Sequence, residues 1–461
     1  MMKTKNIILL ILFAIPFKLA AQINLTLDDC LELATENNAG LRNAELDILY
    51  AKARKSETFT YYFPTVKANA VAFHFAEPLF TLTANDLLGT SDLANDISRY
   101  FNMLAQMYGL NTSYSLLHNG YSANLSLMQP IYVGGKIVNS GRLASLGVAA
   151  AELQQSITER NTKEDIESRY WKVISLTEKM KVADSGMELL DSLHKDVISA
   201  YNAGLAVEKD MIAVRNEYNS LKTQQSRLRS GIRLAKMDLF NTIGQKYSLL
   251  RNAVDSSLVC LDDISLVGEL EDDILEPMAY YYDPSEIIMN LEESQMLALS
   301  VKRHELQKKV ILADALPQIA VGASYGYGQV VGNPEWNGVV YATINIPISD
   351  WGKTSHRMKQ EEILKQKAIN DRNYLEAQLI LQTRQYWESV VSAWDLLNIA
   401  EEDVELKRLV LQQSEADYNA GIITYTPLLK AHTDYLEAQT TFSDSQIQYR
   451  MAVNKYMNRR K

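Results

Sequence analysis

Residues 353–420 run for 68 residues without a glycine or a proline, between Gly352 and Gly421. Those two residue types are the ones that interrupt helices, so the run predicts one uninterrupted helix. At 1.5 Å per residue it would reach roughly 100 Å, beyond the diameter of an ordinary domain. A helix of that length has to pack lengthwise on other long helices. The segment also occurs twice. Ile131-Tyr-Val-Gly134-Gly135-Lys136 matches Ile348-Ser-Asp-Trp351-Gly352-Lys353, and Tyr201-Asn202-Ala203-Gly204 matches Tyr418-Asn419-Ala420-Gly421, both at an offset of 217. Two long helices of equal length are therefore expected, and a repeat of this size constrains the architecture before any local detail does.

Near the start of the chain, residues 24–63 have Ala34, Leu41, Ala44, Ile48, Ala51 and Phe59 at helical spacings. Phe63-Pro64 ends that helix, because the residue before a proline avoids helical backbone. Strand-like alternation comes next, over 65–76, where Val71, Phe73 and Phe75 alternate with Ala70, Ala72 and His74. It recurs over 113–133, with Tyr121, Ala123, Leu125 and Leu127 on one face and Ser122, Asn124 and Ser126 on the other. The first long helix then carries a heptad seam: Val173, Leu176, Met180, Ala183, Met187, Leu190, His194, Val197 and Tyr201. Its counterpart reads Val390, Ala393, Leu397, Ala400, Val404, Lys407, Leu411, Ser414 and Tyr418. A returning helix is expected over 207–242, then an acidic, irregular linker.

The second half replays the first. Residues 285–316 read as helix and stop at Leu316-Pro317. Two alternating strands come after, with Ile319, Val321, Ala323, Tyr325 and Tyr327 on one face of the first and Val340, Ala342, Ile344, Ile346 and Ile348 on one face of the second. Thr426 is expected to cap a final helix with Pro427 at its first position. The boundaries are residues 1–21 as a signal peptide, 22–245 as repeat one, 246–284 as the acidic linker and 285–461 as repeat two. The signal reading rests on Lys3 and Lys5, an apolar run from Ile7 to Phe17 and the small residues Ala20-Ala21.

A net charge of −10 argues against nucleic acid as a partner. Cys30 and Cys260 form neither a zinc pattern nor a disulfide framework; one disulfide between them, or two buried thiols, both stay open. No stretch after the signal is apolar enough for a membrane helix, which leaves a protein soluble outside the cytoplasm or a membrane β-barrel. A soluble sheet gives the same alternation. The aromatic residues Tyr121, Tyr132, Tyr325, Tyr327, Trp336 and Trp351 near strand ends favour the membrane. Four strands cannot close a barrel, and open edges in lipid leave backbone groups unpaired. Copies of the chain must complete it about a symmetry axis; two copies give eight strands, three give twelve.

Helix–Phe63-Pro64–strand and helix–Leu316-Pro317–strand entries, the Gly-Gly-Lys and Trp-Gly-Lys strand-to-helix turns, and the paired Tyr-Asn-Ala-Gly hairpin tips together resemble the TolC family of outer-membrane efflux channels. The resemblance covers the whole mature chain. It implies a mixed α+β membrane protein in which each chain gives four β-strands to a shared transmembrane barrel and long antiparallel helices to a periplasmic α-helical barrel. It also implies a homotrimer in the outer membrane of a Gram-negative bacterium, in contact with its lipid. The tunnel entrance would lie at the hairpin tips, where a periplasmic adaptor (membrane-fusion) protein and an inner-membrane pump dock. On that reading the docking residues are Tyr201, Gly204, Leu205, Asp210, Tyr418, Gly421 and Ile422, and the strand–helix turns lie at Pro64, Gly135, Pro317 and Gly352.

Two features depart from the family pattern. Asp210 fills an acidic position after the first tip, but Pro427 replaces it in the second. The stretch between Pro64 and Pro130 is also 36 residues longer than that between Pro317 and Pro347. The extra residues, about 77–112, join two strands on the side away from the helices, hence extracellular, and Leu93 to Met107 predicts a short helix there.

The residues form no catalytic constellation, and no cofactor or metal is expected. His74, His118, His194, His304, His356 and His432 fall in no ligand spacing. Gly134-Gly135-Lys136 lacks the spacing of a phosphate loop. The acidic clusters at 401–405 and 271–273 read as solvated faces, or as tunnel linings that favour cations. The expected function is a passive, water-filled conduit of a tripartite efflux pump or type I secretion system. The alternatives are a stand-alone porin and a secreted coiled-coil structural protein.

Overall fold

The structure is a computed structural model. It describes residues 23–460 except 78–79, 84–85, 87–88, 90, 111–112, 117–118, 205–206, 250–258, 269–273 and 330–333. The expected signal peptide, Leu205 and the 271–273 cluster lie outside the described residues. The chain forms two compact units, one from residues up to 49 with 150–298 and 370–461, the other from 50–149 and 299–369.

The elements begin with β1 (Ile23–Leu25), α1 (Leu27–Asn37) and α2 (Ala39–Thr60). Thr26 and Asp29 start α1 as a reciprocal capping box, each side chain bonding the other's backbone N–H. Those bonds hold the Asp29 carboxyl below its ordinary range. The single helix expected over 24–63 is broken at Asn38, which is extended at ψ 123. Its side chain accepts from the Leu41 N–H at 3.0 Å and donates to the Thr242 carbonyl at 2.7 Å. The helix expected over 285–316 is likewise split, at Leu291, into α6 (Pro284–Asn290) and α7 (Glu292–Ala313). α2 and α7 are each 22 residues long.

The long helices are α4 (Lys136–Asn202) and α8 (Lys353–Asn419), of 67 residues each; α5 (Glu208–Ile243) and α9 (Tyr425–Met457) return from them. Both heptad seams face inward. Val173, Ala183, Leu190 and Val197 are buried on α4, and Val390, Ala393, Leu397, Ala400 and Leu411 on α8. In the first unit one cluster gathers Cys30, Ile166, Tyr170, Trp171, Leu239, Phe240 and Ile243. Another joins Val390, Ala393 and Leu397 to Ile287, Tyr449 and Tyr456. Cys30 and Cys260 are both free and buried, and burial pushes the Cys30 thiol up to about 12. Parts of the linker are ordered rather than irregular. β6 (Tyr247–Ser248) pairs parallel with β7 (Val259–Cys260), and β8 (Ile264–Leu266) pairs parallel with β1. The Tyr170 hydroxyl donates to the Val267 carbonyl just beyond β8 at 2.5 Å.

The second unit contains an antiparallel sheet of β2 (Thr65–His74), β5 (Asn119–Val133), β9 (Gln318–Gln329) and β10 (Glu335–Asn345), in the order β10-β9-β5-β2. The register puts Ala70 opposite Ala123, Leu125 opposite Tyr325, and Tyr327 opposite Trp336. One face therefore runs through Val66, Leu125, Tyr325, Val340 and Ile344, all exposed. The alternation of β2 is not as expected: Val71 pairs with Ser122 and Phe73 with Gly120, which places both on the polar face. A Cβ on Gly120 would lie 2.4 Å from the Phe73 ring, so glycine there makes room for it. The polar face otherwise carries Asn69, whose amide donates to Ser126 Oγ at 3.1 Å, and Gly322, which leaves space for Tyr341. The 77–112 insertion holds a hairpin of β3 (Phe80–Thr83) and β4 (Ser113–Leu116) and the helix α3 (Asp92–Met107). Among the described residues no helix is long and apolar enough to cross a membrane.

Candidate functional site at the hairpin tips

Both long helices end in the same way. Gly204 and Gly421 have φ of 74° and 72°, and their N–H groups donate to the carbonyls of Tyr201 and Tyr418, each at 2.9 Å. This left-handed closure favours glycine. A Cβ at either position would meet nothing within 4 Å, so backbone conformation alone selects the residue.

Around each glycine the side chains divide into an exposed set and a packed set. Ile422 is 72% exposed and Val207 61% exposed, and Tyr201 is also exposed. Tyr418 packs edge-on against Tyr425, with ring centroids 6.0 Å apart. Tyr425 is buried, burial pushes its phenol up, and its hydroxyl has no hydrogen-bond partner among the described residues. Beneath lie Leu190, Val197, Val214, Leu411 and Leu428. The tips thus show exposed apolar residues on a firmly packed base.

Asp210 is not a free acid at an entrance. It is buried, and its carboxylate accepts from the Thr426 hydroxyl at 3.2 Å. Thr426 does not cap the last helix as expected: Thr424 is the N-cap residue, and α9 starts at Tyr425. The hydroxyl of Thr426 instead reaches across to the other hairpin. No local pattern announces a bond between residues 216 apart in sequence. The same holds for Asp444, which accepts from Ser175 at 2.7 Å and pairs with Lys179 at 2.6 Å.

A cleft of about 410 Å³ opens between α4, α5 and α9, lined in part by Gly186, Leu221, His432 and Leu436. His432 is buried and lies 3.4 Å from Glu415. Burial lowers its pKa, and Glu415 opposes that shift. Lys179, Glu217 and Glu437 line the same cleft. Because the folded pKa lies below the unfolded value of about 6.5, the unfolded chain binds the proton more readily. Stability is then full above about pH 6.5 and declines as pH falls through and below it. The thermal midpoint in detergent is expected to drop between about pH 7.5 and 5.5, and His432→Gln to reduce that drop. An unchanged pH profile in the variant would refute this.

In the second unit, Gly134 and Gly135 have φ of 63° and 79°, and Trp351 and Gly352 have 54° and 82°. Gly134 abuts α7's end, where a Cβ would lie 2.7 Å from the Ala313 carbonyl. Trp351, its counterpart, is 95% exposed. It holds a left-handed conformation that costs about 1 kcal/mol or more outside glycine. Asp350 accepts from the backbone of Gly352 and Thr354 and so caps α8. Lys136 and Arg357 both pair with Asp314, at 2.7 and 3.4 Å. Pro64 and Pro317 stand four residues beyond the ends of α2 and α7.

A family model described as outer membrane efflux protein matches residues 287–456. No curated protein matches the chain in sequence. Solved structures match far more of it. The Campylobacter jejuni CmeC outer membrane channel aligns over 94% of this chain and 85% of its own, at 14% identity and a TM-score of 0.71. The outer membrane protein VceC of Vibrio cholerae aligns over 94% and 95%, at 15% identity and 0.68. The Neisseria gonorrhoeae MtrE outer membrane channel, in its open state, aligns over 97% and 93%, at 14% identity and 0.67. The chain thus has the fold of the TolC-like outer membrane channels, and its residues 287–456 match the family model of outer membrane efflux proteins.

Proposed function

We propose that the protein is the outer-membrane channel of a tripartite efflux pump or type I secretion system: a passive conduit, driven by an inner-membrane pump through a periplasmic adaptor. The observation that carries this reading is the sheet. Its edge strands, β2 and β10, each leave one side without a partner strand among the described residues. β2 and β10 also run in opposite senses, so β10 of one copy can pair with β2 of the next and keep the ladder antiparallel throughout. Closure by copies removes both edges, puts the apolar face through Leu125, Tyr325 and Val340 on outer-membrane lipid, and puts the Asn69–Ser126 face on water. Three copies give twelve strands.

The tips are the adaptor-docking surface in this reading. Ile422 and Val207 are exposed apolar residues on a packed base, and apolar side chains grouped at one exposed end are covered when another surface docks there. The test measures mass and transport together. Light scattering in detergent is expected to give about three times the mass of a mature chain. The double variant Val207→Asp/Ile422→Asp is expected to keep that mass and to lose efflux or export. Normal transport by the double variant would remove the tips as the docking surface. A single-chain mass with full β content would instead overturn the ring.

A further inference from the structure

The helix α3 carries the feature that this function does not use. Leu93, Ile97, Tyr100, Leu104 and Met107 succeed one another in steps of four, three, four and three, which is a heptad seam. Every member is exposed: Leu93 72%, Ile97 40%, Tyr100 63%, Leu104 38% and Met107 70%. The residues that α3 buries are small, namely Ala94, Ser98 and Ala105. A helix that serves only its own domain turns its large apolar side chains inward; this one turns them out. The polar residues Asp92, Arg99 and Asn102 occupy the remaining side. The helix itself is firmly started, with the Ser91 side chain accepting from the Ala94 N–H at 3.2 Å.

Two observations identify the occupant. First, the insertion grows from the end of β2, an edge strand of the sheet, so it stands at the seam where the next copy must join. Second, residues 77–112 carry four acids, Glu77, Asp86, Asp92 and Asp96, against the single base Arg99, a net charge of −3. An amphipathic helix that lies on an anionic lipid surface is rich in Lys and Arg on its polar side, whereas α3 has the single Arg99 against Asp92 and Asp96. We propose that α3 packs through its Leu93–Ile97–Tyr100–Leu104–Met107 seam on α3 of neighbouring copies, as a helical cap at the extracellular mouth. This rests on the ring reading above. A heptad seam is matched best by another heptad seam, and rotational symmetry brings identical helices together without a second gene product.

The test is cysteine crosslinking on whole cells under mild oxidation. Cys30 and Cys260 are buried and so contribute little background. Leu93→Cys and Leu104→Cys are expected to shift the chain to a covalent dimer on a non-reducing gel. Arg99→Cys and Asn102→Cys, on the polar side, are expected to stay at single-chain mass. Adding Ile97→Asp to Leu104→Cys should abolish the dimer while light scattering still reports the assembled ring, because the strands and long helices hold it. Deleting about residues 80–110 should likewise leave the mass of the ring in light scattering at three chains. Equal crosslinking from both sides, or none from the seam in an intact ring, overturns the cap and leaves the ring reading standing. Labelling of the seam cysteines by a lipid-phase reagent, in place of the dimer, assigns the face to the membrane and also overturns it. A single-chain mass in the parent protein overturns both.

Discussion

Replacing Arg160 with methionine is expected to lower the stability of the folded chain by about 3 kcal/mol, toward the low end of what breaking a buried ion pair costs. The Arg160 side chain is 9% exposed. Its guanidinium donates to Glu292 at 2.5 Å and to Glu293. Arg459 also donates to Glu293, at 3.2 Å, and Glu164 lies 4.0 Å from Arg459. Methionine keeps most of the aliphatic stem but leaves Glu292 with no cation in place of Arg160, at a site where its side chain is 19% exposed. Glu293 retains Arg459 and suffers less. The measurement is the thermal midpoint in detergent at a fixed scan rate, since large proteins often unfold irreversibly and their midpoints then depend on scan rate. A further change of Glu292 to methionine should recover much of the loss, because an apolar replacement needs no counter-charge. A midpoint equal to the parent's in the single variant would mean that these pairs behave as surface pairs, each worth little.

None of that network was legible in the sequence, and the reason is physical. Arg160, Glu292 and Arg459 meet only after helices far apart in the chain have packed, and a single charged residue carries no mark of its partner. The long helices were legible because their signal is cumulative: no breaker between Gly352 and Gly421, and a seam repeated over nine positions in α4, from Val173 to Tyr201. Strands β5, β9 and β10 were legible because small or polar residues alternate with large apolar ones. β2 misled, since both of its faces hold apolar residues and only pairing with β5 decides which one Val71 joins. The breaks at Asn38 and Leu291 were missed for a similar reason. Neither is a glycine or a proline, and Asn38 is held extended by the Thr242 carbonyl, a tertiary partner. At the tips the glycines and exposed apolar residues could be read directly, whereas the Asp210–Thr426 bond could not.

The three glycines that close helices α4, α5 and α8 have nearly the same backbone, yet Gly244→Ala is expected to cost about 2–5 kcal/mol and Gly204→Ala or Gly421→Ala only about 1. Gly244 ends α5 at φ 84°, with its N–H on the Asn241 carbonyl at 3.2 Å, three residues back as at the tips, and on the Phe240 carbonyl at 3.0 Å. The difference is the set of atoms a methyl group would touch. At Gly244 a Cβ would lie 2.3 Å from the Asn37 carbonyl oxygen and 2.8 Å from its carbon. Both are backbone atoms and cannot rotate away, so α1 and α5 must separate. Cys30 and Ala34 on one helix and Leu239 and Ile243 on the other are almost wholly buried in a common cluster, so separation opens packed apolar surface. At Gly204 and Gly421 the space is empty, and only the left-handed conformation is paid for. Thermal midpoints of the three single variants decide the matter. Equal losses at all three would mean that conformation alone sets the cost and that α1 yields to the methyl group. A loss confined to Gly244, with none at Gly204 or Gly421, would mean that alanine takes the left-handed turn at the tips without cost.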